Sequence, residues 1–345
     1  MDILHVTRPV PVAGLDDIPM PSVAANQPQS LVARCPVAGE TPLVSAEAIA
    51  VEAGVAQVWV KDERGRMGLG SFKALGAAYV IAHDASRGAA SGQTYVTASA
   101  GNHGMSVAAG AAAFGAASVV YIAQTVPEAF ALRLAEQGAT VVREGDTYEA
   151  SMAAAMQAAQ DNGWALLSDS SWPGYIERPH RLMEGYLILM VEAIAQMPQV
   201  PTHIFLQAGV GGLAGSCAAL AREVWGDAPQ IIVVEPEAAP ALHGSLVAGC
   251  PVESSGPVSD MGRLDCKMPS LIALKGLARD ADAFALISET EGQAGAGTAM
   301  VAGLPSTPSG AAGIAGLLAV SEKQRADLGI DATSVVLCVL SEAPE

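Results

Sequence analysis

Short runs of Val, Ile and Leu alternate with segments of helical spacing along most of the chain. Such strands are expected at 117–123 (ASVVYIA) and at 334–341 (SVVLCVLS), a strand that runs into a loop is expected within 164–171, and a closing helix is expected at about 310–323. Continuous apolar strands between helices are typical of parallel sheets covered on both faces. The sequence therefore predicts an α/β protein with mostly parallel sheets.

Two interleaved domains are expected from the order of these segments. The 345 residues are enough for two domains, and no low-complexity linker divides them. We place a smaller α/β domain at residues 86–189, inserted into a larger domain formed by residues 1–85 and 190–345. The first 45 residues, rich in Pro and Ala, are expected to form an extended arm with short turns.

Charge and cysteine content limit the classes of partner. The formal net charge of −17 argues against binding to nucleic acid or to an anionic membrane surface. No apolar stretch suits a membrane span, and the N-terminus lacks a signal pattern. The five cysteines show no CxxC spacing, which favours reduced thiols in a cytoplasmic protein.

Lys73 has an unusual setting for a lysine. A Gly-rich turn and Ser-Phe precede it, small and apolar residues follow it, and no carboxylate is near it in the sequence. A lysine buried without a partner costs free energy. The amine therefore either reaches water or is held as a nucleophile.

A glycine-rich turn between a strand and a helix is expected to bind a single phosphate. Its residues are Gly209, Val210, Gly211, Gly212, Leu213 and Ala214. Glycines let backbone N–H groups wrap an anion, and the helix N-terminus adds a favourable dipole. The pattern matches neither the GxGxxG fingerprint nor a nucleotide P-loop, so a dinucleotide-binding protein is the least favoured function. A tight turn that binds nothing is the alternative.

Polar residues at other strand ends complete a candidate cofactor site. Asn102 could hydrogen-bond a ring substituent, and Ser341 could bond a pyridine nitrogen. Asp169 is either a general base or the cap of a turn. A lysine, a single-phosphate loop and a ring partner together meet the needs of pyridoxal phosphate.

These motifs together resemble the diaminopropionate ammonia-lyases, which are fold type II pyridoxal phosphate enzymes similar to the tryptophan synthase β subunit and to serine/threonine dehydratases. The segments that carry the resemblance follow the family order between about residues 35 and 342: GSFKALGAAY, TASAGNHG, SDSSWPGY, LQAGVGGLAG, VVEPEAAPAL and VVLCVLSEA. The resemblance implies two interleaved three-layer α/β domains, pyridoxal phosphate as cofactor and a homodimer. The implied reaction is α,β-elimination on a β-substituted L-amino acid, which yields a 2-keto acid and ammonia.

The resemblance also implies roles for individual residues. Lys73 and Asp169 are the expected catalytic residues. The expected cofactor contacts are Lys73, Phe72, Asn102, Gly209, Val210, Gly211, Gly212, Leu213, Ala214 and Ser341. The expected substrate contacts in the turn before the helix are Ser99, Ala100, Gly101 and His103, although His103 taken alone is more typical of a structural histidine.

Two positions depart from the family pattern. Ala100 stands where the family has an Asp, in TDGNHG, that is taken as the base for the D-isomer, whereas Asp169 matches the acid used for the L-isomer. We therefore expect activity on L-amino acids and little on D-amino acids. Pro308 stands where the family has a Glu, which is expected to remove a carboxylate near the cofactor ring.

A stretch unlike the family, MGRLDCKMPS, carries two basic residues in a chain that has few. Arg263 and Lys267 are candidates to face a second anionic group of the substrate, as in a β-substituted aspartate, or are surface charges. The metal site of serine racemase-like relatives needs carboxylates soon after Glu235, where this chain has Ala239, Pro240 and Ala241. We therefore expect no divalent metal.

Two other functions stay open. A β-replacement enzyme, similar to cysteine synthases, would pass through the same chemistry before adding a nucleophile. A protein that keeps the cofactor fold only to bind an amino acid is the second alternative. Product analysis with and without an added thiol separates these possibilities.

Overall fold

The computed structural model describes residues 1–344, whose strands form two sheets. In the larger sheet the strand order is β1 (Asp2–His5), β10 (Ala283–Ile287), β9 (Gln230–Pro236), β8 (His203–Gln207), β11 (Val335–Leu340), β3 (Gln57–Asp62) and β2 (Leu43–Ser45). In the smaller sheet the order is β6 (Thr140–Arg143), β5 (Ala117–Ile122), β4 (Thr94–Ala98) and β7 (Ala165–Leu166). Neighbouring strands are parallel except at the two edges of the larger sheet, where β1 and β2 run antiparallel to their partners. The predicted α/β fold with mostly parallel sheets is confirmed.

Helices connect the strands and follow one another in the order expected for crossover connections. They are α1 (Asn26–Val32), α2 (Glu47–Ala53), α3 (Lys73–Ser86), α4 (Asn102–Ala113), α5 (Glu128–Glu136), α6 (Tyr148–Asn162), α7 (Glu177–Gln196), α8 (Gly212–Trp225), α9 (Ala241–Ala248), α10 (Leu271–Asp280), α11 (Glu289–Val301), α12 (Ala312–Leu318) and α13 (Glu322–Leu328), with a 3-10 helix at Glu63–Gly68. Within the described residues no helix combines the length and the apolarity needed to cross a bilayer.

The core explains why the apolar runs become central strands. Every residue of β8 and β11 is buried, and core clusters lie on both faces of the larger sheet. A strand buried on both faces cannot alternate polar and apolar residues, so its sequence reads as one apolar run.

Two glycines bring α3 and α7 into close contact. A Cβ on Gly185 would lie 2.6 Å from the carbonyl oxygen of Leu75, and a Cβ on Gly76 would lie 2.6 Å from the ring of Tyr186. Only glycine permits this separation of the two helices. The contact fixes the helix that begins at Lys73 against the helix that carries Tyr186.

The strand that was expected to run into a loop within 164–171 is present as Ala165–Leu166. Two local predictions were wrong. The closing helix is two helices, α12 and α13, since Ser321 and Gln324 form a reciprocal capping box that starts a new helix. The expected N-terminal arm contains α1 and two edge strands, whose backbone groups pair with β10 and β3.

The domain boundaries stay a prediction. The strands of the smaller sheet all lie between residues 94 and 166, and those of the larger sheet lie outside that range. Helix α7, which crosses the expected boundary at 189, packs against both α3 and α8.

Candidate active site

Lys73 and Asp169 form an ion pair between the two parts of the chain. Lys73 is the first residue of α3, and Asp169 lies in the loop that follows β7. Lys73 Nζ lies 2.5 Å from Asp169 Oδ2, and the two side chains are 21% and 17% exposed. The sequence near Lys73 offers no carboxylate, so the fold supplies one from 96 residues away.

The pair keeps both groups charged. Burial alone would lower the pKa of Lys73. The attraction of Asp169, together with smaller contributions from other groups near Lys73, outweighs burial, so the pKa of Lys73 is raised. Burial alone would raise the pKa of Asp169, but Lys73 and the nearby His103 lower it. At neutral pH the site therefore holds an ammonium and a carboxylate in contact.

Two aromatic rings flank the amine of Lys73. Its Nζ lies 5.2 Å from the ring centroid of Phe72 and 5.8 Å from that of Tyr186, and these two rings meet edge to face. The Tyr186 hydroxyl is buried and has no hydrogen-bond partner among residues 1–344. Tyr186, which belongs to the motif MEGY, was not among the expected site residues. A buried hydroxyl without a protein partner beside the amine offers a hydrogen bond to a bound ligand or water.

The glycine-rich turn has the shape of an anion-binding loop. Gly211 has φ +95°, and α8 begins at the next residue. The first N–H groups of α8 therefore have no hydrogen-bond partner within the helix. A Cβ on Gly209 would lie 3.0 Å from Cys266 Sγ, and one on Gly211 would lie 3.0 Å from the Ala273 Cβ. The turn is thus packed tightly on one side. These features fit the phosphate role expected for residues 209–214.

Asn102 and the end of β11 meet through a carboxylate that the sequence analysis missed. Asn102 Nδ2 donates to Glu342 Oε2 over 2.5 Å, and the Thr307 hydroxyl donates to Oε1 of the same side chain. Glu342 follows Ser341, whose carbonyl oxygen accepts the N–H of Phe72 at 3.2 Å. This bond ties the expected ring-nitrogen partner to the start of α3.

Glu342 corrects the expectation for Pro308. That proline was expected to leave the floor of the site without a carboxylate. The neighbouring Thr307 instead hydrogen-bonds to Glu342, so another strand end brings a carboxylate to the same place. The only sequence signal was its position directly after Ser341.

The turn before α4 is held by its own hydrogen bonds. Ser99 Oγ accepts the N–H of Gly101 at 3.3 Å, and Ala100 is partly buried against an apolar cluster. His103 Nε2 lies 2.8 Å from the carbonyl oxygen of Leu167, and burial lowers the pKa of this histidine. His103 therefore joins α4 to the strand that leads to Asp169, while substrate contacts from this turn stay a prediction.

The two basic residues of the atypical stretch have different surroundings. A Cβ on Gly101 would lie 2.9 Å from Arg263 Nη1, so the guanidinium of Arg263 covers the turn before α4. Lys267 Nζ instead donates to the carbonyl oxygens of Ala238 and Pro257, both at 2.8 Å, and pairs with Asp265 at 2.6 Å. Arg263 lies at the site, whereas Lys267 holds its own loop together and its contacts do not support a substrate role.

Glu235 binds the first turn of α9. Its two carboxylate oxygens accept the N–H groups of Leu242 and His243, each at 2.8 Å, and burial raises its pKa to about 8. Among residues 1–344 no group of three or more His, Cys, Asp or Glu side chains is placed to hold a metal ion. The absence of a metal requirement stays a prediction.

Three features of the site fit one cofactor. They are the lysine at the start of α3, the glycine-rich loop at the start of α8, and the strand-end serine whose backbone is bonded to the start of α3. Lys73 would hold pyridoxal phosphate through Nζ, the loop 209–214 would bind its phosphate, and Ser341 would face its ring nitrogen. The chain belongs to the family of pyridoxal-phosphate dependent enzymes, whose family model matches residues 35–342.

Within that family the chain is similar to diaminopropionate ammonia-lyases. It is 33% identical to the Escherichia coli K12 enzyme over 253 residues, which cover 67% of this chain and 63% of that enzyme. The Salmonella typhimurium enzyme is also 33% identical, over 68% of this chain and 65% of its own length. The matched region thus spans less than two thirds of these relatives.

Solved structures of the Escherichia coli lyase share the fold over nearly the whole chain. A structure in complex with an aminoacrylate-PLP azomethine reaction intermediate has a TM-score of 0.89 and 28% identity, and covers 99% of this chain and 93% of that one. A structure in complex with D-serine has a TM-score of 0.88, 27% identity and the same coverage. The predicted fold type II architecture is confirmed.

Proposed function

We propose that this protein is a pyridoxal phosphate-dependent lyase that eliminates the β-substituent of a β-substituted L-amino acid. The products are a 2-keto acid, ammonia and the released β-group. For L-2,3-diaminopropionate, one water would be consumed, and pyruvate and two molecules of ammonia would form. The observation that carries the proposal is the contact of 2.5 Å between Lys73 and Asp169 at the base of the cofactor site.

The residues of the site divide the work of such an elimination. When bound, pyridoxal phosphate withdraws electrons from the substrate Cα and makes its proton removable. Asp169 Oδ2 lies 2.5 Å from the amine that would hold the cofactor, so its carboxylate is placed to accept that proton. Phe72 and Tyr186 lie within 6 Å of the amine and give it an aromatic surrounding.

The proposed stereochemistry follows from which carboxylates are present. Asp169 is in the site, and Ala100 gives no carboxylate on the turn before α4. A solved relative binds D-serine, but that relative shares only 27% of its residues with this chain. We therefore propose that L-amino acids are the substrates and that D-amino acids react weakly or not at all.

The test begins with the purified protein mixed with pyridoxal phosphate. We expect an absorbance band near the visible edge, and keto acid from at least one L-amino acid that carries a β-amino or β-hydroxy group. Lys73→Ala should lose both, whereas Lys323→Ala, an exposed lysine of α13, should keep both. A protein that stays colourless with the cofactor would refute the proposal.

Product analysis separates elimination from its alternatives. With an added thiol, a β-replacement enzyme would form a thioether amino acid in place of the keto acid. A spectral change on addition of an amino acid with no product at all would identify a binding protein. Keto acid formed in equal amounts with and without thiol supports the lyase.

We also propose a cytoplasmic homodimer. All five cysteines are unpaired in the structure, which suits a reducing compartment. The dimer rests on analogy with other fold type II enzymes. Light scattering on the purified protein measures the mass, and 34.9 kDa, the mass of one chain, would contradict the dimer.

A further inference from the structure

A small polar pocket lies beside the candidate active site. It is lined by Gly70 of the turn before Lys73, by Asn102 and Glu342, and by two arginines, Arg133 of α5 and Arg263. Its volume of about 40 Å³ is enough for roughly three water-sized groups, which is the size of one carboxylate. Asn102, an expected cofactor contact, is part of the lining, so the pocket is adjacent to the expected cofactor site.

The two arginines both contact one aromatic ring. The guanidinium carbon of Arg133 lies 5.9 Å from the ring centroid of Phe130, and that of Arg263 lies 5.8 Å from the same centroid. Contacts of this length between a guanidinium and a ring are favourable and orient both partners. Phe130 is therefore a contact that the two guanidiniums share.

The charge of the pocket is opposite to that of the protein. Its described lining contains two guanidiniums and one carboxylate, whereas the whole chain has a net charge of −17. Glu342 already accepts hydrogen bonds from Asn102 and Thr307 and lies 3.8 Å from Arg263 Nε. Arg133 makes no ion pair among residues 1–344. Among the described residues the guanidinium of Arg133 is therefore the cation of the lining that has no carboxylate beside it.

We propose that Arg133 and Arg263 bind a second carboxylate of the substrate, beyond the α-carboxylate. The substrate class is then a β-substituted amino acid with an acidic group on Cβ or on the leaving group. This inference rests on the proposed function, because it names the substrate of the same site. Arg–carboxylate contacts are strong and directional, so the two arginines set specificity while Lys73 and Asp169 do the chemistry.

The first test measures binding, not turnover. L-Aspartate and L-alanine differ by one carboxylate and lack a good leaving group, so each is titrated into the enzyme loaded with pyridoxal phosphate and followed by absorbance. We expect L-aspartate to bind about tenfold or more tightly than L-alanine. Arg133→Gln should abolish that preference, Arg133→Lys should keep part of it, and Arg87→Gln, at the far end of α3, should leave it unchanged.

The second test uses turnover with a matched pair of substrates. L-Serine and L-3-hydroxyaspartate share the hydroxyl leaving group and differ by the β-carboxylate. Arg133→Gln and Arg263→Gln should lower kcat/KM for L-3-hydroxyaspartate by about tenfold or more while L-serine changes little. Equal losses for both substrates, or no preference for L-aspartate in the wild type, would overturn the proposal. If no amino acid gives keto acid, the proposed function fails, and the binding test still decides on the pocket.

Discussion

The side-chain amide of Asn102 donates a hydrogen bond of 2.5 Å to the carboxylate of Glu342, across 240 residues of sequence. The bond joins the first residue of α4 to the residue that follows Ser341 at the end of β11. It links the smaller sheet to the larger one at the place where the cofactor ring is expected. The position of Asn102, and with it the width of the site, therefore depends on Glu342.

Glu342→Ala is expected to destabilise the protein. The change leaves the Asn102 amide and the Thr307 hydroxyl without their acceptor, which costs about 1–3 kcal/mol when such groups are buried. Glu342→Gln keeps an acceptor and should cost less than half as much. Urea denaturation measures both, and an alanine variant as stable as the wild type would show that the hydrogen bonds do not matter.

Gly211→Ala is expected to weaken cofactor binding by about tenfold or more. The added Cβ would lie 3.0 Å from the Ala273 Cβ at a residue with φ +95°, so the phosphate loop must shift. Gly226→Ala, at the other end of α8, is the matched control, because it has φ +59° but open space around its Cβ. Both variants carry backbone strain, so only a difference in pyridoxal phosphate affinity, measured by absorbance titration, supports the role of the loop.

The sequence predicted the parts of the fold that depend on local pattern. The strands β5, β8, β9 and β11 are apolar runs, and burial on both faces leaves no other composition for them. The division between α12 and α13 was missed because the apolar run hid the capping signal of Ser321 and Gln324. The strand β1 was missed because an edge strand is specified by its partner more than by its own sequence. Here the partner is β10, and the register pair Asp2 and Leu286 is 284 residues apart.

Site residues that belong to a sequence motif could be predicted. Contacts between segments that are distant in the sequence could not. Lys73 and Asp169 were expected separately, but their ion pair depends on how α3 and the loop after β7 meet. Glu342 lies in the segment VVLCVLSEA but was not identified as a site residue, and Arg133 belongs to none of the segments that carry the resemblance. Both act through partners that are distant in the sequence, and no local spacing encodes such partners.

Ala100→Asp is expected to add activity on D-amino acids. The family pattern has an Asp at this position, which lies two residues before Asn102 in the turn that leads to α4. We expect keto acid from D-serine in the variant and little in the wild type, whereas Ala100→Ser, which adds no base, should behave as the wild type. A coupled assay for pyruvate with both enantiomers measures the change. An aspartate variant active only on the L-enantiomer would contradict the role of this position.

Asp169→Asn should change how stability depends on pH in the protein without bound cofactor. The pKa of Asp169 is lowered by folding, so its contribution is full above about pH 4 and is lost as the pH falls further. The pKa of Lys73 is raised, so its contribution is full below about pH 10 and is lost as the pH rises further. The wild type should therefore exceed the variant by about 2 kcal/mol near pH 7 and by less at pH 3. Asp17→Asn, an exposed aspartate, is the control in urea titrations at both pH values. A gap that stays constant between pH 7 and pH 3 would contradict the ion pair.

Glu192→Ala is expected to be among the most destabilising single changes in the chain. Glu192 on α7 accepts hydrogen bonds from Lys61 at 2.7 Å and from Arg66 at 2.6 Å, and all three side chains are at most 7% exposed. The variant would leave two buried cations short of a partner, which costs about 3–5 kcal/mol.

The same helix supplies the control for that change. Glu177 pairs with Arg181 at 3.0 Å, but its side chain is 83% exposed, so Glu177→Ala should cost under about 0.5 kcal/mol. Chemical denaturation of the two variants measures the difference. Because Arg66 lies in the 3-10 helix that leads to the turn before Lys73, the Glu192 variant should also lose affinity for pyridoxal phosphate. A Glu192 variant as stable as the Glu177 variant would mean that water replaces the lost carboxylate, and that the cluster does not fix the start of α3.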